Sequence, residues 1–267
     1  MKLSIGKAWE EAAAFLAREG RLVAPVALAL FAIPSALINW AYPAGSVTAA
    51  GGRNSLALLL VILIMMAGQM TIIVLASGWH GRVGEALGKA SRRVPTLVGA
   101  ALIVFGPLLV IFSIALAAAL MAAGINDPAT LTPEAMMKVP GVAWLTLLML
   151  VVLLFLAVRM FPMSAVAANE TVGPIALLKR SWALTRGKFG RLLALMLLLV
   201  VTALVLSYAV SVVVGSIAVL TLGEPRPFNV PALIIALAGG FVSALISSVS
   251  AAMIARIYAQ LSDDTAA

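Results

Sequence analysis

The chain offers few side chains that are suited to acid–base or metal chemistry. Its single histidine, His80, stands beside Trp79, and no second histidine or close pair of carboxylates completes a metal site of the usual kind. The sequence has no cysteine and no glycine-rich phosphate loop. A histidine beside a tryptophan at the end of an apolar segment is typical of a membrane interface. We therefore predict a protein that is not an enzyme and has no catalytic residue, metal site or cofactor.

Arg159 is the charged residue whose position in the sequence most favours binding of an anionic group. It lies in an apolar segment that we place at residues 142–168, about nine residues, or roughly 13 Å, from the end of that segment. A charge at that depth is costly unless it is paired or hydrated. Its candidate partners are a lipid phosphate and the carboxylates of Glu170, Asp263 and Asp264. The alternative is that Pro162 breaks the helix, so that Arg159 simply extends to the head groups.

The densest basic segment follows, at residues 171–191. Leu177, Leu178 and Trp182 give it an apolar side, so we expect an amphipathic helix along the membrane surface. There each basic residue near anionic lipid contributes about 1 kcal/mol. An ordinary basic loop explains the charges equally well, but it does not explain the apolar residues between them. The candidate contacts for a lipid or a partner protein are Arg159, Glu170, Lys179, Arg180, Trp182, Arg186, Lys188 and Arg191.

The composition of the chain indicates which elements position these residues. Hydrophobic residues make up 63% and charged residues 10%, and the mean hydropathy is +1.14, whereas about a quarter of a soluble domain is charged. Crossing a bilayer takes about 20 apolar residues. Six stretches qualify, near 22–42, 56–77, 94–123, 142–168, 192–222 and 230–257. The predicted fold class is all-α, a polytopic integral membrane protein with about six transmembrane helices in a single domain, 1–267.

The lysine and arginine residues predict the orientation of these segments. Fifteen of the 18 lie towards one side of the predicted membrane. Only Arg53, Lys138 and Arg226 lie towards the other side. Because basic loops stay in the cytoplasm, we predict a multi-pass protein of the cytoplasmic (inner) membrane with both termini cytoplasmic. The net charge of +8 lies in short runs between apolar segments. That distribution favours anionic membrane lipids, and not nucleic acid, as partners.

The basic segments also indicate an internal repeat. Gly20-Arg21-Leu22-Val23-Ala24 recurs as Gly190-Arg191-Leu192-Leu193-Ala194, and Lys7-Ala8-Trp9 is echoed by Arg180-Ser181-Trp182. We predict three units, each an interfacial helix followed by a transmembrane hairpin. The units are 1–21 with 22–77, 78–93 with 94–168, and 169–191 with 192–257, before a cytoplasmic tail at 258–267. The alternative is that any helix entering a membrane from a basic loop has this character.

The first of these units starts with apolar residues at helical spacing. They are Ile5, Trp9, Ala12, Phe15 and Leu16, and they alternate with charged residues. This pattern predicts a helix that lies in the membrane interface. A helix in the cytosol is the alternative.

Polar and small residues inside the spans predict helix packing. Gln69 and Asn39 lie at membrane depth, where amides usually hydrogen-bond across helices. A stripe of small residues repeats every four positions in the last span: Gly239, Ser243, Ser247, Ala251 and Ala255. Such a stripe lets another helix approach closely. We expect packing within the bundle, and a homodimer face is the alternative.

Three stretches that begin at Arg159 resemble a known family. They read Arg159-Met160-Phe161-Pro162-Met163-Ser164, Asn169-Glu170-Thr171-Val172-Gly173-Pro174 and Ala176-Leu177-Leu178-Lys179-Arg180-Ser181-Trp182-Ala183-Leu184-Thr185-Arg186-Gly187. The pattern resembles the membrane domain of bacterial glycerophosphodiester phosphodiesterases. In the two-domain members hydrolysis belongs to a separate barrel domain with histidines and metal-binding carboxylates. The resemblance therefore implies a stand-alone membrane domain without the catalytic barrel.

Together these features predict a non-enzymatic scaffold or accessory subunit. It would bind anionic lipids or partner proteins at the cytoplasmic face, with a homo-oligomer through the small-residue stripe as the alternative partner. The alternative is a transporter or flippase of a lipid-like substrate that uses Arg159 in a hydrated cavity between helices. An intramembrane enzyme acting on lipid is the third class, and it lacks an acid–base pair.

Overall fold

The computed structural model describes residues 4–43, 55–79, 81–125, 135–136 and 138–266. For Ser55 and residues 263–266 it describes the backbone alone. Within these ranges the regular structure is helical, and six segments are long and apolar enough to cross a membrane. This confirms the predicted all-α fold class. The helices are α1 (Ile5–Ala41), α2 (Ser55–Ala76), α3 (Val83–Ser91), α4 (Val94–Ala122), α5 (Val142–Met160), α6 (Met163–Asn169), α7 (Pro174–Thr185), α8 (Phe189–Leu222) and α9 (Val230–Ala266).

The two ends of the chain meet at one end of the helix bundle. The backbone N–H of Ser4 donates a 3.0 Å hydrogen bond to Oε1 of Gln260. At the opposite end, the indole N–H of Trp40 donates to the carbonyl oxygen of Asn229 at 3.0 Å. Because consecutive spans run in opposite directions, α3, α6 and α7 lie at the end that holds Ser4 and Gln260. We call it the basic end.

The helix α1 differs from the prediction of a separate interfacial helix at 1–21. It runs without interruption from Ile5 to Ala41 and contains one π-helical turn, Leu28–Ala32. The apolar residues Ala12 and Phe15 are buried in the protein core. They do not face lipid because α1 packs along α9 from the basic end onward. Trp9 is the exception, with 52% of its surface exposed.

Two glycines let neighbouring helices approach the π-helical turn of α1. A Cβ atom at Gly240 of α9 would lie 2.5 Å from the carbonyl oxygen of Ala32. A Cβ atom at Gly68 of α2 would lie 2.8 Å from the Cβ of Leu30. Both distances are shorter than real carbon contacts, so only glycine fits. The closest approach between α9 and α1 is therefore at Gly240, one residue after Gly239 of the predicted stripe.

The predicted stripe on α9 divides between core and cavity. Ala251 and Ala255 are buried within the bundle, and Gly239 lines a cavity between α8 and α9. By contrast α8 is exposed along its most apolar stretch, where no residue is buried. The helix α4 is similarly exposed and continues through Pro107. These two helices form the outer faces of the bundle, and α1, α2 and α9 form its centre.

Candidate functional site

A turn between two helices, at Phe161 and Pro162, determines the position of Arg159. The helix α5 ends at Met160, and α6 begins at Met163 after a turn at Phe161 and Pro162. Proline has no N–H to continue the helix, and its ring clashes with the preceding turn. Arg159 is therefore in the last turn of α5 at the basic end. The helix is interrupted at Pro162, while the apolar segment as a whole runs from Val142 to Asn169, so the depth of Arg159 in the membrane stays a prediction.

Two buried hydroxyls from α7 hold the end of α5. The Ser181 hydroxyl donates a 2.9 Å hydrogen bond to the carbonyl oxygen of Arg159, one of the helix-end carbonyls that lack a partner within the helix. In return, Nη1 of Arg159 donates to Oγ1 of Thr185 at 3.4 Å. Ser181 and Thr185 are completely buried. These contacts fix α7 against α5 and leave the guanidinium between the two helices.

Three aromatic rings surround the Arg159 guanidinium. Its central carbon lies 4.8 Å from the ring centre of Trp182, 5.4 Å from that of Phe155 and 5.9 Å from that of Phe189. A cation over an aromatic face gains about 0.5 to 2 kcal/mol, depending on how much water is removed. The rings thus stabilise the charge without neutralising it. Phe155 lies on the same face of α5, four residues before Arg159.

Arg159 lines an open groove of about 650 Å³ between α4, α5 and α7. Two more basic side chains, Lys179 and Arg186, line the same groove. The Arg159 Nε atom is buried and has no hydrogen-bond partner within the described part of the chain. The remaining lining residues are mainly apolar: Val104, Leu156, Met160, Leu178, Trp182 and Ala183. Positive charge beside an apolar wall suits a ligand with an anionic head and an apolar tail.

Glu170 does not pair with Arg159, and that prediction is wrong. Its Oε1 atom accepts a 3.1 Å bond from Nε of Arg180 and a 2.8 Å bond from the hydroxyl of Tyr258. The cause is that α6 ends at Asn169, after which extended backbone carries Glu170 towards α7 and α9. Among the described residues no carboxylate forms an ion pair with Arg159. The side chains of Asp263 and Asp264 lie outside the described residues.

Asn169, the residue before Glu170, connects α6 to the end of α2. Nδ2 of Asn169 donates a 3.2 Å hydrogen bond to the hydroxyl of Ser77, just after α2. Asn169 and Glu170 therefore join α6 to α2, α7 and α9. We call Glu170, Arg180 and Tyr258 the junction cluster. Its hydrogen bonds join α7 to α9 and to the segment that follows α6.

The predicted site residues thus separate into three groups. Arg159, Lys179, Trp182 and Arg186 line the groove, whereas Glu170 and Arg180 belong to the junction cluster. Lys188 and Arg191 lie at the start of α8, outside the set of residues lining the groove. Of the other predicted residues, Asn39 does not bond across helices, since its Nδ2 donates to the carbonyl oxygen of Ser35 in its own helix at 2.8 Å. His80 lies outside the described residues.

Sequence reasoning missed four residues of these clusters. They are Phe155, Thr185, Phe189 and Tyr258. The spacing of Phe155 and Arg159 was a usable signal, because residues four apart share a helix face. The contacts of Phe189 and Tyr258 depend on how distant segments pack, and no local pattern indicates them.

Comparisons with known proteins identify a family without a described activity. A family model described as Domain of unknown function (DUF7847) matches residues 3–261. Comparisons with curated proteins and with solved structures find no match to the chain. The resemblance to the membrane domain of glycerophosphodiester phosphodiesterases stays a prediction, since none of these comparisons tests it.

Proposed function

Since the chain belongs to the DUF7847 family, whose description leaves its function open, we propose that this protein binds an anionic phospholipid in the Arg159 groove. In this proposal it acts as a non-enzymatic scaffold or accessory subunit at the cytoplasmic face of the membrane. The observation that carries the proposal is the unneutralised charge of Arg159: its guanidinium lines the groove, and no described carboxylate forms an ion pair with it. A guanidinium has five N–H donors, and one of them bonds to Thr185.

The surroundings of Arg159 favour a phosphate over other acceptors. Lys179 and Arg186 add two positive charges to the same groove, and arginine matches the oxygens of a phosphate well. The groove volume of about 650 Å³ lies within the usual range of ligand sites. Its apolar wall, which includes Leu156 and Leu178, is suited to the first part of an acyl chain. A free inorganic anion would leave that wall without a partner.

The side of the membrane follows from charge. The groove lies at the basic end of the bundle, and basic segments are retained in the cytoplasm. The cytoplasmic leaflet carries the anionic lipids that attract such segments. We therefore place the groove in the cytoplasmic leaflet.

A binding measurement on purified protein tests the proposal. The wild type in mild detergent is titrated with phosphatidylglycerol and with phosphatidylcholine, and bound lipid is counted by native mass spectrometry. We expect a preference for phosphatidylglycerol that falls about tenfold or more in Arg159→Gln, the loss expected from removing a charge-assisted bond. Arg92→Gln is the matched control, because Arg92 is an exposed basic residue at the same end and outside the groove. Equal effects of the two substitutions would contradict the proposal.

One observation favours transport of a lipid-like substrate as a second function. Two cavities, of about 580 and 420 Å³, follow one another along α8 and α9 from the basic end towards the opposite end. Hydroxyl side chains line them, among them Thr202, Ser207 and Ser211. In vesicles containing the purified protein, movement of a fluorescent phospholipid between leaflets distinguishes the two functions. A scaffold leaves the rate at that of protein-free vesicles, and a transporter raises it.

A further inference from the structure

A second arginine at the basic end also has a donor without an acceptor. In the described part of the chain, the buried side-chain atoms that lack a hydrogen-bond partner are Arg159 Nε, Arg256 Nε and Gln260 Nε2. All three are donors. Arg256 and Gln260 lie one turn apart on the same face of α9. Buried polar groups normally have partners, and these two donors on α9 have none among the described residues.

Arg256 lines a cavity of about 280 Å³ that is separate from the Arg159 groove. The cavity lies between the first half of α1, the end of α2 and α9, and it shares no lining residue with the groove. The central carbon of the Arg256 guanidinium lies 6.0 Å from the ring centre of Phe15. Gly78, Trp79 and Gly81 form the side of the cavity that follows α2. Arg256 is therefore held between an aromatic ring and an open space.

The charges around this cavity leave a net positive site. Arg18, Glu19 and Arg256 line it. Nε of Arg18 bonds to Oε1 of Glu19 at 3.1 Å, so these two charges offset one another. The charge of Arg256 remains, and no described carboxylate forms an ion pair with it. Lys89 and Glu85 of α3 both approach the side of the cavity that follows α2, and their charges offset one another: the Lys89 ammonium lies 5.3 Å from the ring centre of Trp79, and Oε2 of Glu85 lies beside Gly81.

The two arginines occupy equivalent places in the fold. Arg159 and Arg256 both lie near the basic end of the second span of a hairpin, and each stacks on an aromatic residue from an amphipathic segment. For Arg159 that segment follows in the chain. For Arg256 it is the first half of α1. The smaller cavity of Arg256, about 280 Å³, has room for a phosphate group but not for an acyl chain, which would have to lie outside it.

We propose that the Arg256 cavity is a second site and that it binds a phosphate group. Two sources present this group at the basic end, free inorganic phosphate and the head group of a phospholipid. The shared chemistry is a compact oxyanion that accepts hydrogen bonds from the guanidinium of Arg256, which lines the cavity. This site is independent of the proposed function of the Arg159 groove.

Thermal unfolding of the full chain in detergent tests the site and separates the sources. Sodium phosphate is compared with sodium chloride at equal ionic strength, and phosphatidylglycerol with phosphatidylcholine, on the wild type, Arg256→Gln and Arg159→Gln. If phosphate raises the Tm of the wild type and Arg159→Gln but not of Arg256→Gln, the ligand is free phosphate. If only phosphatidylglycerol gives a rise that needs Arg256, the ligand is a head group. In either case we expect the apparent affinity to fall about tenfold or more in Arg256→Gln.

A second measurement covers the case in which Arg256→Gln does not fold. Phenylglyoxal modifies accessible arginines, and mass spectrometry gives the rate at each position of the wild type. Phosphate or phosphatidylglycerol should slow modification of Arg256 several-fold relative to Arg92, which is exposed and outside the cavity. The proposal is overturned if neither phosphate nor phosphatidylglycerol changes the Tm. It is also overturned if neither ligand changes the rate at which phenylglyoxal modifies Arg256.

Discussion

The ring centre of Trp182 lies 4.8 Å from the guanidinium carbon of Arg159, which makes it the nearest of three rings to that charge. Trp182 comes from α7 and Arg159 from the end of α5. Between them, Ser181 and Thr185 form the hydrogen bonds that hold the two helices together. Segment 181–185 therefore holds the Arg159 guanidinium in place through both hydrogen bonds and an aromatic contact.

Trp182→Leu should weaken the binding of anionic lipid while the protein stays folded. Leucine keeps an apolar side chain but removes the cation–π contact, so we expect an affinity loss of about 2- to 30-fold. The measurement is the titration with phosphatidylglycerol described above. Trp144→Leu is the matched control, since Trp144 is an exposed tryptophan on α5 that lines neither the groove nor the cavities along α8 and α9. An equal or larger loss in Trp144→Leu would show that general interfacial anchoring explains the binding.

Ser181→Ala should lower the stability of the protein. The substitution leaves the buried carbonyl of Arg159 without its 2.9 Å partner, which costs about 1 to 3 kcal/mol. The check is the free energy of unfolding in mixed detergent. Ser113→Ala serves as control, because Ser113 is exposed on α4 and bonds only within its own helix, to the carbonyl of Leu109. We expect a change within about 0.5 kcal/mol there.

Glu170 should couple energetically to both of its partners. Because Arg180 and Tyr258 bond to the same Oε1 atom, the effects of Glu170→Ala and Tyr258→Phe on unfolding should not add. A double-mutant cycle should give a coupling of about 0.5 to 3 kcal/mol. The same variants should keep the wild-type affinity for phosphatidylglycerol, since Glu170 is outside the groove. Additive effects would show that the 2.8 Å bond contributes nothing measurable.

Gly240→Ala should destabilise the bundle, and Gly239→Ala should not. An added methyl at position 240 meets the carbonyl oxygen of Ala32 at 2.5 Å, so α1 and α9 must separate. Overpacking of this kind costs roughly 1 to 3 kcal/mol. A Cβ atom at Gly239 meets nothing within 4 Å, and alanine favours the helix over glycine. The Tm of the two variants in the same detergent decides between them.

Composition and charge were sufficient to predict the membrane class and six spans, because apolar runs of about 20 residues have few other stable arrangements. The site was less predictable. Pro162 was recognised as a possible break, yet only the structure places Arg159 in the last turn of α5. The pairing of Glu170 with Tyr258, 88 residues away, and the burial of Phe15 against α9 depend on long-range packing. A single sequence carries no local signal for such contacts.

The central claim is that an anionic head group occupies the Arg159 groove, and site-resolved photo-crosslinking tests it most directly. A phosphatidylglycerol analogue with a photoreactive group next to its head group is incorporated into vesicles with the protein, and the labelled peptides are identified by mass spectrometry. We predict labelling concentrated around Met160 and Leu178, which line the groove, and its loss in Arg159→Gln but not in Arg92→Gln. Even labelling of all exposed helices, including α8, or labelling that persists in Arg159→Gln, would contradict the claim.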